Sequence, residues 1–192
     1  MGATKYLSEK ITLDSNSKSP VTSLCVRFGN VLSSRGSVIP SMVKGMKKNG
    51  KIWVSDGGVT RFAIPIDEAA SLVLDAIELS IGGEIFVLKM KAFSIDQLVR
   101  VMLSCGVSEG EVEVEYRGLT QGEKLHEDLV SEDEILRLWE SDNHYVIMPH
   151  GFEEPSDFYL SKSNREVYNS GSEDMFSDNE IKSEILRYIN EP

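Results

Sequence analysis

The stretch CVRFGNVLSSRGSVIP, residues 25–40, begins as a strand, loses its continuous apolar run at Gly29, and resumes apolar spacing of helical type near Val38. With the residues before it, VTSLCVRF carries apolar side chains on both faces, as a strand buried in a parallel sheet does. Ligands of open α/β sheets collect beyond the carboxyl ends of the strands, which is where GNVLSSRGSV falls. Gly29 and Gly36 permit close backbone approach or positive φ, and Ser33, Ser34 and Ser37 offer short hydroxyls. Arg35 supplies a planar fork that matches phosphate. Ser37 is placed to cap a helix beginning near Val38, and a helix N-terminus attracts anions. The same residues also read as a polar surface loop with an N-cap, and spacing alone does not separate the two readings.

Working outward, 192 residues with 41% hydrophobic and 27% charged content suit one ordinary domain or a domain with a small lobe. The 20 basic against 31 acidic residues give a net charge of −11. That balance argues against a nucleic-acid or anionic-membrane partner, since phosphate neutralisation needs clustered Lys and Arg. An anionic ligand must therefore be met locally. No run approaches the roughly 20 apolar residues of a spanning helix. The N-terminus has no signal-peptide pattern, and a cytoplasmic chain is expected. Cys25 and Cys105 lie far apart in apolar segments and read as small core residues, and His126, His144 and His150 have no zinc spacing.

The first segment, MGATKYLSEKITL, reads as a helix entered without a preceding cap, strand or turn. After residue 37 come an amphipathic helix in VIPSMVKGMKK, a short strand in KIWVSD, a Gly57-Gly58 turn and a strand in VTRFAIPI. In IDEAASLVLDAIELS, Asp67 reads as the cap, and Ala69, Leu72, Val73, Ala76 and Ile77 form one apolar stripe. Gly82-Gly83 ends that helix and EIFVLKM follows as a strand. Ser94 with Gln97, Ser131 with Glu134, and Ser177 with Glu180 have the spacing of capping boxes. EVEVEYR alternates as a half-exposed strand does, and HYVIMP reads as a short apolar strand. Strands alternating with helices give an α/β or α+β class, and VTSLCVRF has no earlier strand in the chain to pair with. Singly, Arg61 in SDGGVTRF and Glu123 with Lys124 in QGEKLHEDL read as solvated or ion-paired residues.

Five blocks change their weight. MGATK…SEK, VRFGNVLSSRGSVIP, VTRFAIPIDEAASLVLDA, GGEIFVL and GEKLHEDL resemble, in this order and spacing, the C-terminal part of nucleotide-sugar 4,6-dehydratases of the extended short-chain dehydrogenase/reductase family. The likeness is to the CapD-like polysaccharide biosynthesis proteins acting on UDP-N-acetylglucosamine. The tail from EDEILRLWESDNHYVIMP onward is similar to the inverting dehydratase of the pseudaminic-acid route.

This resemblance implies an α/β fold: the C-terminal part of an extended Rossmann-like domain with an incomplete parallel sheet, plus a small α+β substrate-binding lobe. Residues 1–36 would be the remnant of the NAD(P)-binding domain. Residues 37–192 would be mainly the nucleotide-sugar lobe, with returns to the Rossmann sheet near 64–90. Asn30, Ser34, Arg35, Gly36, Ser37, Val38, Ile39, Pro40, Ser41 and Met42 would fold over the UDP-sugar. Arg61 would bind the diphosphate, and Glu123 would accept hydrogen bonds from ribose or uracil. The family has Arg-Pro before GEK where this chain has Thr120-Gln121, and Arg117 is a candidate substitute.

The implied reaction takes hydride from sugar C4 onto NADP (or NAD), removes the C5 proton, expels water from C6 and returns hydride to C6. Lys5 matches the lysine of the family's Tyr-x-x-x-Lys pair, as catalytic and nicotinamide-ribose residue, with Met1 at the tyrosine position. Lys5 also has a plainer reading, as a solvated lysine on a frayed first turn. The glycine-rich cofactor turn and the Thr/Ser-Asp-Lys segment have no counterpart in the sequence, so whether the chain is itself an enzyme is open. The readings are a dehydratase acting with further chain, a non-catalytic UDP-sugar-binding module or remnant, and a UDP-sugar epimerase. SLCVRF is also expected to expose a sheet edge and an apolar face, favouring a homo-oligomer or association with a missing N-terminal half.

Overall fold

The computed structural model describes residues 2–32, 34, 37–108, 110–154 and 159–190. In chain order the elements are α1 (Gly2–Ser15), β1 (Cys25–Arg27), β2 (Asn30–Val31), α2 (Val38–Asn49), β3 (Lys51–Val54), β4 (Thr60–Ile64), α3 (Ile66–Leu79) and β5 (Ile85–Leu88). They continue with β6 (Ala92–Ser94), α4 (Ile95–Ser104), β7 (Glu113–Tyr116), α5 (Glu132–Ile135), β8 (Leu138–Glu140), β9 (His144–Ile147), β10 (Ser161–Lys162) and α6 (Asp178–Asn190). The chain divides into two compact units. Among the described residues no helix is long and apolar enough to cross a membrane, and no cluster of His, Cys, Asp or Glu is placed to hold a metal.

The first unit draws on Met1–Phe28, Asp67–Lys89 and Leu129–Tyr168. Its sheet has the order β1-β5-β9-β8-β10. β1 and β5 run parallel, with Cys25 opposite Ile85 and Arg27 opposite Val87, while the remaining pairs are antiparallel. Every residue of β5, a continuous apolar run, and of β9, which opens on His144, lies in the interior. The expected long buried strand at VTSLCVRF is shorter: only Cys25–Arg27 pairs, and all three residues are half-buried. An edge strand with one described neighbour has no second ladder to extend it.

α3 also departs from expectation. It starts at Ile66, so Asp67 lies within the first turn, where its charge faces the positive end of the helix and does not cap it. The buried stripe is Ala69, Leu72 and Ala76, whereas Val73 and Ile77 are 37% and 64% exposed. The apolar face expected at SLCVRF is half-covered over Cys25–Arg27, whereas α1 buries no residue and leaves Tyr6, Leu7 and Ile11 open to solvent.

What ties α1, β1 and α5 together is one guanidinium. Arg27 donates through Nε and Nη2 to both oxygens of Glu9 at 2.7 and 2.8 Å. Through Nη1 and Nη2 it donates to both oxygens of Glu134 at 2.8 and 2.7 Å, and Nη1 also reaches Leu129 O at 2.8 Å. All five N–H groups are thereby used, in two fork-to-fork pairs. Burial by itself would raise the Glu134 carboxyl, but the Arg27 hydrogen bonds and charge, with the Ser131 N–H, outweigh it and hold the group at about 2.

The second unit comprises Gly29–Ile66, Met90–Asp128 and Asn169–Pro192. It holds a three-stranded sheet, β2-β4-β6, and a parallel pair, β3-β7. Its core is helical: Ile39, Met42, Val43 and Met46 of α2 pack with Leu98, Val99 and Met102 of α4 and Ile181 and Ile185 of α6. The start signals serve as expected at α4, where Ser94 Oγ accepts from Gln97 N–H at 3.1 Å, and at α6, where Ser177 N–H reaches Glu180 Oε2 at 2.7 Å. KIWVSD and VTRFAIPI enter different sheets, because Gly57 turns the chain against α4. A Cβ on Gly57 would stand 2.1 Å from Asp96 Oδ1.

Arg27→Met would leave two carboxylates buried without their cation. A loss of about 3–5 kcal/mol in urea unfolding is expected. In the unsubstituted chain the Glu134 contribution is complete above its unfolded value, near pH 4.5, and is lost as pH falls towards about 2. Unfolding curves between pH 7 and 2.5 measure both effects.

Candidate functional site

β2 and β4 pair in parallel with Asn30 opposite Ala63 and Val31 opposite Ile64. That approach needs Gly29, since a Cβ there would lie 2.4 Å from Phe62 Cβ. It brings the Asn30 amide to Phe62 O at 3.1 Å and to the Glu127 carboxylate at 3.4 and 3.5 Å. On β4, Arg61 Nη1 donates to Thr60 O at 2.8 Å and to Leu125 O at 3.3 Å. Its two carboxylate neighbours stand further off, Glu123 at 3.5 Å from Nη2 and Glu127 at 3.6 Å from Nε. Two backbone carbonyls thus fix the guanidinium, and among the described residues Nε and Nη2 make no hydrogen bond.

The two glutamates differ in kind. Glu123 Oε1 accepts from Ser55 Oγ at 2.7 Å, and Oε2 accepts from Thr120 N–H and Oγ1–H at 3.1 and 2.9 Å. The Ser55 hydroxyl first, then the Thr120 N–H, hold its carboxyl below the ordinary value. Glu127 accepts from Phe62 N–H at 3.2 Å, and its remaining contacts are longer. Burial pushes this carboxyl up, against the opposing pull of Arg61, Phe62 N–H and Asn30.

The loop carrying both glutamates is anchored from below. Thr60 Oγ1 lies 2.7 Å from His126 Nδ1 and 2.8 Å from Ser170 Oγ, and Ser170 Oγ accepts from Glu127 N–H at 2.8 Å.

A cavity of about 240 Å³ opens on this cluster, with Asn30, Ser55, Arg61 and Glu123 as its polar wall. Val38 and Met42 of α2 and Trp53 of β3 face it from the apolar side. Of the residues expected from sequence, the structure therefore brings together Asn30, Val38, Met42, Arg61 and Glu123. Ile39 is fully buried in the helical core, and Ser41 is exposed on a groove beside Trp53. Pro40 lies on the first turn of α2 and Ser34 is exposed. Ser37 sits at the N-cap position, yet its hydroxyl makes no cap bond, and it is buried without a partner among the described residues. Lys5 is exposed on α1 in the first unit. Met1, Arg35 and Gly36 lie outside the described residues.

Arg117 stacks its guanidinium over the Trp53 ring at 4.7 Å and pairs with Glu115 at 3.1 Å, so it meets the cavity through Trp53. Sequence reasoning missed Trp53, Ser55, Thr120 and Glu127. Trp53 and Ser55 carried a usable signal, two residues apart at the end of a strand, where alternation turns both side chains one way. Among the described residues α3 and α4 follow their strands without a glycine-rich turn, so neither provides a dinucleotide pyrophosphate cradle.

Comparison with known proteins agrees with this architecture. Residues 1–149 match the family model described as polysaccharide biosynthesis protein. The chain is 38% identical to an uncharacterized membrane protein of Methanocaldococcus jannaschii, over 98% of this chain and 57% of that one. It is 41% identical to the capsular polysaccharide biosynthesis protein CapD of Staphylococcus aureus, over 70% of this chain and 23% of CapD. UDP-glucose 4-epimerase of Rickettsia bellii is similar at 33% identity, over 77% of this chain and 43% of the enzyme. The X-ray structure of Pen from Bacillus thuringiensis superposes with a TM-score of 0.83 at 34% identity, covering 98% of this chain and 57% of Pen. The chain thus spans between 23% and 57% of the length of these proteins.

The fold is the mixed α/β arrangement of the extended short-chain dehydrogenase/reductase class, with a parallel β1–β5 pair at its edge. Within that class the chain belongs to the CapD-like polysaccharide biosynthesis proteins.

Gly29→Ala is expected to force β2 away from Phe62 and to destabilise the chain by about 1–3 kcal/mol. Thermal and urea unfolding check this, and an unchanged midpoint would show that the β2–β4 approach has slack.

Proposed function

We propose that the second unit binds the diphosphate sugar of a UDP-N-acetylhexosamine, as the substrate cradle of a nucleotide-sugar 4,6-dehydratase in surface-glycan synthesis. The observation that carries this reading is Arg61, held in the cavity wall by two carbonyls with Nε and Nη2 free of hydrogen bonds among the described residues. A diphosphate offers the anionic oxygens such a fork takes. Asn30 presents its amide beside it, with the N–H groups turned to Phe62 O and Glu127 and Oδ1 able to accept from a sugar hydroxyl or an N-acetyl N–H. The Trp53 ring, 48% exposed, supplies an apolar face.

The nicotinamide cofactor that the resemblance implies supplies hydride transfer when bound. The residues described here hold and orient the sugar nucleotide, and Lys5 is the residue assigned to the cofactor ribose. Similarity to UDP-glucose 4-epimerase supports a second reading, epimerisation at the same cradle.

Titration calorimetry with UDP-N-acetylglucosamine tests the cradle. Binding is expected, and Arg61→Ala should weaken it roughly 10- to 150-fold, the range of one or two charge-assisted hydrogen bonds. No heat with the unsubstituted chain, or unchanged affinity in Arg61→Ala, contradicts the reading. NMR of the sugar after incubation with NADP then distinguishes loss of the 6-hydroxyl, inversion at C4, and binding without conversion.

A further inference from the structure

Arg61 is the one cation among the described residues that line the cavity, and it is flanked by two carboxylates. Counting Arg61, Glu123 and Glu127 as ionised, the cluster carries a net charge of −1. A diphosphate approaching Nε and Nη2 would meet both glutamates at close range, where like charges repel strongly outside bulk water. The cluster becomes compatible with the anion if one carboxylate is neutralised as the ligand arrives.

The structure distinguishes the two. Glu123 is bound on both oxygens by Ser55 and Thr120 at 2.7–3.1 Å, contacts that strengthen with its negative charge. Glu127 is partly buried, and its hydrogen bonds run from 3.2 to 3.5 Å. β4 presents Arg61 and the Phe62 N–H, β2 presents the neutral Asn30 amide, and the 169–171 turn presents the Ser170 hydroxyl to the Glu127 backbone. From its own loop, His126 is turned to Thr60 and Lys124 to Asp128. Among the described residues Arg61 is thus the one cation facing Glu127 that favours its ionised form, and an anion drawing on Arg61 removes that support.

We propose that Glu127 is a proton-linked positioning residue: it takes up a proton when the diphosphate engages Arg61, which removes the like charge beside the ligand while Asn30 stays in place. This rests on the reading of the cavity as a diphosphate-sugar cradle. Burial acts in the same direction, pushing the carboxyl above its ordinary value before any ligand binds. Because the bound state holds the extra proton, affinity rises as pH falls.

The test is calorimetric titration of the full chain with UDP-N-acetylglucosamine, whose diphosphate diester does not titrate between pH 5 and 8. It is run at several pH values in that range and in two buffers of different ionisation enthalpy. The dissociation constant is expected to rise by up to about tenfold per pH unit, with proton uptake on binding. Glu127→Gln, which mimics the neutral carboxyl, should abolish the uptake and the pH slope, and should bind at pH 8 at least as tightly as the unsubstituted chain. A lost side-chain contact alone would instead weaken binding at every pH. Glu123→Gln and His126→Asn should each retain the slope. Binding without proton uptake, or a slope that survives Glu127→Gln, overturns the role of Glu127 and leaves the cradle standing. Absence of binding at every pH overturns both.

Discussion

The candidate site depends on how the N–H groups of one arginine are occupied. Arg61 is fixed by the carbonyls of Thr60 and Leu125, so its position is set by backbone and not by the carboxylates beside it. Were Glu123 and Glu127 in direct contact, the guanidinium would be saturated and the cavity would hold only a structural ion pair. Arg27, in the first unit, is that other case. All five of its donors are taken by Glu9, Glu134 and Leu129, and its role is to join three elements. In a chain of net charge −11, what sets Arg61 apart from Arg27 is that, among the described residues, its Nε and Nη2 have carboxylates at 3.6 and 3.5 Å and make no hydrogen bond.

Much of the second unit serves that geometry. Gly29 lets β2 close on β4, which sets Asn30 beside Phe62 O. Gly57 presses the turn onto α4, and β3 carries Trp53 to the cavity with Ser55 just beyond it. Thr60, His126 and Ser170 hold the loop whose carbonyl at Leu125 completes the clamp. The helical core of α2, α4 and α6 supplies the rigidity on which these polar contacts rest.

Some of this was legible in the sequence. The helices of residues 38–49, 95–104 and 178–190 followed from spacing and from Ser94 and Ser177, because caps and stripes are local. The width of the α3 stripe was not legible, since whether Val73 and Ile77 are covered is decided by packing. Nor was the length of β1, which depends on its neighbours. Asn30, Arg61 and Glu123 came from resemblance to a family and not from their spacing. Glu127 was invisible for a physical reason: it meets Asn30 across 97 residues of chain, and in QGEKLHEDL nothing local sets it apart from a solvated charge. Thr120, which departs from the family pattern, shares with Ser55 the holding of Glu123.

The most direct measurement is a crystal structure of this chain with UDP-N-acetylglucosamine bound. The account predicts a diphosphate oxygen hydrogen-bonded to Nε or Nη2 of Arg61, with Nη1 still on Thr60 O and Leu125 O and the sugar within reach of the Asn30 amide. A nucleotide seated elsewhere, with Nε and Nη2 of Arg61 untouched by it, would contradict the account.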